Sequence, residues 1–424
     1  MSNAIQAVRG MNDILPDEAE LWLWLEGVVA AWFARYGYRQ IRTPLLEHTG
    51  LFRRAIGEVT DIVEKEMYTF TDALNQESLT LRPEATASTV RAAIEHNLVY
   101  DGPKRLWYQG PMYRHERPQK ARYREFHQFG AEALGFAGPE VDAELIAMCA
   151  ALWKELGLND VRLQLNTIGS AQERARYRAD LVRHLEMHEA QLDADAKRRM
   201  HSNPLRVLDS KNPAVQAVVA TAPAMNAYLG EGSLEHFAVL QQLLAAAGIS
   251  YQVNPRLVRG LDYYNLTVFE WATDRLGAQG TVCGGGRYDG LFALLGGKPT
   301  PGVGFAAGIE RLIALLRDSG RAAPPRFPDA YLVYQGEGAP AYAFTLGDEL
   351  RAAGFAVVLH AGGGGLKSQM KKADASGAAL ALIVGEDEIR AGVVSVKPLR
   401  DAREQQRVTR AELAGRLGAI LKGS

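Results

Sequence analysis

Residues 109–132, QGPMYRHERPQKARYREFHQFGAE, bring phosphate-binding, amine-binding and ring-stacking side chains into one short stretch. Two runs with strand-like alternation flank a basic loop, which predicts a β-hairpin. Alternate residues of a strand share one face. Leu106, Tyr108, Gly110, Met112, Arg114 and Glu116 form that face on the first arm, and Arg124, Phe126, Gln128, Gly130 and Glu132 on the second. Pro111 allows a bulge or an edge position on the first arm. Without a bulge, Arg114, Glu116, Arg124, Phe126, Gln128 and Glu132 gather two arginines, two carboxylates, an amide and one aromatic ring where a half-buried hairpin ordinarily turns apolar residues inward. A guanidinium is a planar fork that fits phosphate or carboxylate oxygens. The mixture therefore suits a ligand with phosphate, a flat ring and an amine. Arg114 and Glu116 alone would read as an ion pair on a solvated hairpin; Phe126, Gln128 and Glu132 on the matching arm favour a site. The intervening loop holds Arg117, Lys120, Arg122 and Arg124. It is either a mobile basic turn or a nucleic-acid contact of the counterion-releasing kind.

Three later blocks carry related chemistry. In LVRGLDYYNLTVFEW, residues 257–271, Arg259, Asp262, Tyr263 and Tyr264 come just as a strand begins. Tyrosines there usually pack with a satisfied hydroxyl, but Gly260 permits a tight turn that aims Arg259. GGGRYDGL, residues 284–291, either lets backbone approach a ligand closely or forms a flexible turn. PGVGFAAGIERL, residues 301–312, contains a relaxed dinucleotide fingerprint at Gly302, Gly304 and Ala307. GGKPTP precedes it instead of a strand, and no acidic residue closes a second strand, which rules against that fold. It reads better as a glycine-permitted strand leading into a helix near Gly308. Arg311 then sits in the first helical turn, the unfavourable end for a cation; that placement suits an anionic ligand. Other candidates fail. His184 and His188 have helical spacing, but Leu185 stands where a metalloprotease has its glutamate, and no third ligand is evident. Gly297 and Lys298 lack P-loop spacing, and His115 lacks the glutamate of a zinc deaminase. No protein-built metal site is expected.

The surrounding elements must hold these blocks in register. Pro16 starts an amphipathic helix with Asp17, Glu18 and Glu20 at its positive end, an apolar stripe through Leu25, Trp32 and Phe33, and Gly37 as its stop. LTLRPEAT, residues 79–86, reads as a strand running into a helix; a helix is predicted over 139–156 and a strand at VRLQLNTIG. From 171 to 225 charges crowd in and strand patterns vanish, which predicts an inserted helical segment. Strands resume at YQVNPRL, NLTVFEW and QGTVCGGG. DSGRAAPPRFPD is a proline-rich linker. After it, strands alternate with helices, predicting a small α/β domain with a largely parallel sheet. At 424 residues the chain has room for about three folding units. A net charge of -1 gives no global sign of nucleic acid, so any basic surface is local. Two distant cysteines, Cys149 and Cys283, fit a reducing compartment. The N-terminus lacks a signal-peptide core and no apolar run reaches a membrane span. A cytoplasmic protein with no membrane association is expected.

Together, TLRPEAT, MYRHERPQKARYREFHQFGAE, RGLDYY, GGGRYDGL and GVGFAAGIERL resemble the signature of the bacterial histidyl-tRNA synthetase family. YGYRQIRTPLLE resembles motif 1 of class II synthetases, the hairpin motif 2, and GVGFAAGIERL motif 3; RGLDYY and GGGRYDGL are similar to the histidine-specific signatures. The resemblance runs the length of the chain, with Ala85 and Ala131 varying beside motif residues. It implies an α+β catalytic domain, an antiparallel sheet flanked by helices, over 1–170 and 226–322. A helical insertion over 171–225, a linker at 323–329 and an α/β anticodon-binding domain at 330–424 complete the chain. It also implies a homodimer joined around 37–44. Glu84, Thr86 and Gln128 would hold the amino and carboxylate ends of L-histidine. Glu132 and Tyr264 would bind the imidazole, with Tyr263 close by. Arg114 and Arg259 would grip the α-phosphate of ATP and serve as the catalytic residues. Phe126 would stack on adenine, Glu116 would face its amine, and Arg122 and Arg311 would meet the γ-phosphate. Mg²⁺ would accompany the phosphates. Arg117 and Gln119 would meet the acceptor end of tRNA(His).

The implied reaction is histidine–tRNA ligation. The histidine carboxylate attacks the α-phosphorus in line, pyrophosphate leaves, and the terminal ribose hydroxyl of tRNA then takes the histidyl group. Two relatives compete with this reading. The regulatory paralogue of ATP phosphoribosyltransferase normally lacks the C-terminal domain and parts of the active site, both of which are present here. Class II synthetases for proline, threonine or glycine are disfavoured by RGLDYY and Glu132.

Overall fold

The first helix spans Pro16–Arg35, with Leu21, Leu25, Val29, Trp32 and Phe33 buried along one stripe. It ends where Gly37 turns left-handed at φ 72, a conformation that glycine adopts without penalty. The computed structural model describes residues 4–57, 60–119, 121–324 and 326–422. Lys120 of the basic loop and Pro325 of the linker lie outside the described residues. Two compact units divide the chain, Met1–Ala323 and Pro324–Ser424.

The first unit is built on an eight-stranded sheet. Its strand order is Arg39–Gln40, Lys104–Tyr113, Glu125–Leu134, Gly302–Gly308, Thr281–Arg287, Asn265–Ala272, Arg162–Thr167 and Tyr251–Val253. The central pairings are antiparallel, and the two outermost ones are parallel. The predicted hairpin forms with an unbroken ladder from Lys104–Leu134 to Tyr113–Glu125, so Pro111 makes no bulge. Pro111 instead marks an edge: the outer strand pairs only as far as Trp107, so the missing N–H breaks no ladder bond there.

The sheet's two faces separate by the period of two. Trp107, Phe129, Ala131, Val303, Phe305, Phe269 and Trp271 join a core with the helices Pro16–Arg35 and Pro139–Leu156. Phe33 stacks on Trp107 at 4.8 Å, and Trp32 meets Phe129 edge-on at 6.2 Å. Burying each such ring contributes about 2–3 kcal/mol, which pins this face against its helices and leaves the other for a ligand. A three-stranded sheet, Leu46–His48, Ser78–Leu81 and Tyr68–Thr71, feeds the helix Thr86–Glu95 beside that open face.

Residues 171–225 are helical, as their composition predicts. Ala171–Met187 starts at a Ser170/Glu173 capping box, and Ala194–Ser202 and Pro213–Ala220 follow. They enclose their own apolar cluster around Tyr177, Leu181, Met200 and Val218. The His184 and His188 side chains donate to the carbonyls of Val218 and His184.

The second unit departs from the expected parallel sheet. Val357–Leu359, Ala330–Tyr334 and Leu380–Val384 are parallel, but Val393–Pro398 and Gln406–Thr409 add antiparallel. Between Leu380–Val384 and Val393–Pro398 lies only the short helix Glu386–Ala391. That connection is too short for the crossover a parallel pair needs.

Candidate active site

Cross-strand register sets out the open face as rows. One row runs Tyr108, Gly130, Ala306, Gly284, Glu270 and Gln164; the next runs Leu106, Glu132, Gly304, Gly286 and Val268. The middle of both rows is glycine and alanine, so the sheet is sunken there. GGGRYDGL therefore begins as a central strand and not as a flexible turn. A cleft of about 900 Å³ opens over this floor. Glu84, Thr86, Arg114, Glu116, Arg122, Phe126, Gln128, Arg259, Tyr263, Tyr264 and Arg311 all line it. Eleven residues singled out from four separate blocks thus meet at one place.

Glu132 lies beneath the lining and is fully buried. Thr86 donates to its Oε1 at 2.6 Å, Tyr108 donates at 3.4 Å, and the Tyr288 hydroxyl donates to Oε2. Burial pushes its carboxyl up to about 8, against the lowering effect of those donors. A Cβ on Gly304 would collide with this carboxylate, so glycine is required there for Glu132 to fit. Glu84 caps the helix Thr86–Glu95: its oxygens accept from Thr86 N at 2.7 Å and Ala87 N at 3.0 Å. Burial raises its pKa as well. Gln128 Oε1 is buried with no hydrogen-bond partner among the described residues. An orphaned acceptor of that kind costs about 1–3 kcal/mol and is a place for a ligand's hydrogen-bond donor.

Cations gather on the opposite side of the cleft. Arg114 Nε donates to Pro83 O at 2.9 Å, and its guanidinium lies 5.2 Å from the Phe126 ring centroid. Burial lowers its pKa. Arg311 donates to Thr281 O. Burial, and then the like charges of Arg114 and Arg122, push it down to about 10. Three arginines that destabilise one another's charge form a place where phosphate is favoured. Arg259 is held by an ion pair with Glu270, and its Nε has no partner among the described residues. A Cβ on Gly284 would sit 2.7 Å from both terminal nitrogens of Arg259, so that glycine makes room for the guanidinium. Glu116 pairs with Arg122.

Not every expected residue reaches the cleft. Arg124 lies just before the second arm, donates to Glu116 O at 3.2 Å, and is absent from the lining. Arg117 and Gln119, expected at the tRNA acceptor end and not in the cleft, are exposed on the loop. Conversely, Tyr288 and Glu270 shape the site without having been singled out, and Tyr108, on the hairpin's face, was given no role. Glu270 was legible in principle: in NLTVFEWA it alternates with the core residues Phe269 and Trp271.

A cleft lined by buried carboxylates, tyrosines and an arginine cluster has the chemistry to suit an amino acid joined to a nucleotide. The histidyl-tRNA synthetase family model matches residues 10–312, and an anticodon binding domain model matches 329–420. The Histidine--tRNA ligase of Thiobacillus denitrificans is 65% identical over 414 residues, 98% of each chain. That of Nitrosomonas europaea is 61% identical over 420 residues, 99% of this chain and 100% of the other. Among solved structures, the apo S. aureus histidyl-tRNA synthetase superposes with a TM-score of 0.83 at 35% identity, covering 97% of this chain and 99% of its own. The chain belongs to the histidyl-tRNA synthetase family.

Proposed function

We propose that the 900 Å³ cleft is where this chain, an ATP-dependent histidine–tRNA ligase, forms histidyl-adenylate. The observation that carries the reading is a separation along one pair of strands: the buried carboxylate Glu132 lies opposite Gly304, while Gln128 lies opposite Gly308, next to the helix that bears Arg311, and Arg114 follows the strand end at Tyr113. Histidine's imidazole enters toward Glu132 and Tyr264, with Tyr263 beside them. A ring that offers N–H donors at both ends is matched by acceptors there. Glu84, Thr86 and Gln128 take its amino and carboxylate ends. Phe126 stacks on adenine, Glu116 faces the adenine amine, and Arg122 and Arg311 meet the γ-phosphate.

The histidine carboxylate is ionised at neutral pH, so attack on the α-phosphorus needs no general base. Catalysis is positioning plus charge stabilisation as the phosphorus becomes pentavalent. Arg114 and Arg259 supply that stabilisation. Mg²⁺ bound with ATP would neutralise charge on its phosphates. Among the described residues no cluster of three side chains is placed to hold a metal. Glu270, which lines the cleft beside Arg259, is the carboxylate that would help hold such an ion. Arg117 and Gln119, exposed on the loop, meet the acceptor end of tRNA(His), whose ribose hydroxyl attacks the adenylate carbonyl.

The same proposal divides the chain into catalytic segments 1–170 and 226–322, an insertion 171–225, a linker 323–329 and an anticodon-binding domain 330–424. A homodimer joined at 37–44 is supported by the exposed Leu45 and Leu46 next to that segment. No described helix is long and apolar enough to cross a membrane; with the family's tRNA substrate, we place the protein in the cytoplasm. The test is ATP–pyrophosphate exchange with each of the twenty amino acids. Histidine alone should support it; exchange with another amino acid, or none, contradicts the assignment.

A further inference from the structure

The helical segment after residue 170 touches the cleft through more than the chain connections at its ends. Arg199, near the end of the helix Ala194–Ser202, donates to Asp61 Oδ2 at 2.7 Å. Its neighbour Arg198 pairs with Glu64 and reaches Asp61 at 3.7 Å. Asp61 and Glu64 belong to the tight turn that ends at Glu66, and the Glu66 carbonyl accepts from His115 N at 2.7 Å. His115 lies between Arg114 and Glu116, so one contact path runs from the helical segment to the phosphate side of the cleft.

A second path starts at Asn203, immediately after the same helix. Asn203 Nδ2 donates to Asp262 Oδ1 at 2.9 Å. Arg174, on the helix Ala171–Met187, donates to the carbonyl of Tyr264. Asp262 directly precedes Tyr263 and Tyr264, which line the amino-acid side of the cleft. The two walls also meet each other, since Asp262 N donates to Ile56 O at 3.1 Å. At Gly57, where φ is +98, an added Cβ would stand 3.1 Å from the Asp262 Cβ. One short stretch, 198–203, therefore grips both loops just where they adjoin.

We infer that this stretch is a latch: Arg199 on Asp61 and Asn203 on Asp262 are positioning residues that set the phosphate-side and histidine-side loops relative to each other. Any ligand that shifts the helical segment changes histidine and ATP binding by the same route. The inference rests on the cleft being the adenylate-forming site. None of these four side chains needs to touch the reacting atoms, so their effect is on how well the loops are placed.

A charge-swap series tests the latch by ATP–pyrophosphate exchange. Arg199→Glu and Asp61→Arg should each raise the KM values for histidine and ATP about fivefold, the low end of measured site-to-site couplings. Because Asp61 also faces Arg198 and Arg199 also faces Asp195 at 3.1 Å, the combined exchange should recover only part of the loss and cost less than the sum of the two single variants, a coupling that a loss of folding or of a generic surface charge does not predict. Asn203→Asp, nearly isosteric, sets a carboxylate against Asp262 and should raise the histidine KM selectively while unfolding remains cooperative. Unchanged KM values in the single variants, or no recovery in the double, overturn the latch. Arg259→Ala, assayed alongside, separates the two levels: if exchange survives it, the site assignment itself is wrong.

Discussion

Glu132 makes histidine affinity depend on pH in a way that can be worked out from its surroundings. Its carboxyl is fully buried and pushed up to about 8, so it is protonated in the empty site at neutral pH. Free imidazole titrates near ~6.5. In the bound pair, one proton is shared between carboxyl and ring. Between about pH 6.5 and 8 the free partners already carry that proton, and binding neither takes up nor releases one. Above 8 both have lost it, so binding must take one up and affinity falls about tenfold per pH unit. Below 6.5 both carry one, so affinity falls again. Histidine's own α-amino group also titrates on the alkaline side, so the decisive comparison is with Glu132→Gln, which keeps the shape and that ligand group but not the carboxyl. Calorimetric titration with histidine from pH 6 to 9 should show the original protein losing about tenfold more affinity than the variant by pH 9. Parallel profiles above pH 7.5 would refute the pairing of Glu132 with the ring. Stability supplies a second readout of the same group. A glutamate raised from its unfolded value contributes most below that value, and the contribution is lost as pH rises through about 8. The ligand-free protein should lose stability over that window, and Glu132→Gln should flatten the slope.

Gly284→Ala places a methyl 2.7 Å from the Arg259 guanidinium. The side chain can move away, so unfolding should change little, while exchange should drop about 10–100-fold from the misplaced cation. Equal activity would mean that Arg259 tolerates displacement. Arg287 is fully buried against Asp142 and also donates to the carbonyls of Phe136 at 2.9 Å and Gly138 at 2.8 Å. Arg287→Met strands the buried carboxylate and should cost about 3–5 kcal/mol in urea unfolding; a loss under about 1 kcal/mol contradicts the paired, desolvated geometry.

The site was legible where local periodicity alone fixes direction. Phe126, Gln128 and Glu132 sit on one strand, and their common face follows from alternation whatever packs around them. Arg124 was misjudged because its backbone N–H bonds to the Gly10 carbonyl and its side chain turns to the Glu116 carbonyl, contacts that alternation does not convey. The glycines at 284–286 were ambiguous for a related reason. A glycine run makes a turn or a sunken strand, and only the neighbouring strands decide which. Tyr108 and Tyr288 lie 180 residues apart in sequence yet meet on Glu132, a convergence no spacing predicts. The antiparallel end of the second unit's sheet turns on the length of one connection, which the strand and helix pattern did not convey. The grip of Arg199 and Asn203 on the cleft loops is likewise long-range and silent in composition, which marked that segment only as charged and helical.

Arg259→Ala probes the central claim most directly, because Arg259 is proposed to act on the transition state and not merely to hold the substrate. Single-turnover adenylate formation and equilibrium histidine binding should be measured on the same variant. Adenylate formation should fall by about two orders of magnitude or more while histidine affinity changes only several-fold. An equal loss in both would show that Arg259 only binds the ground state and would contradict the proposed mechanism.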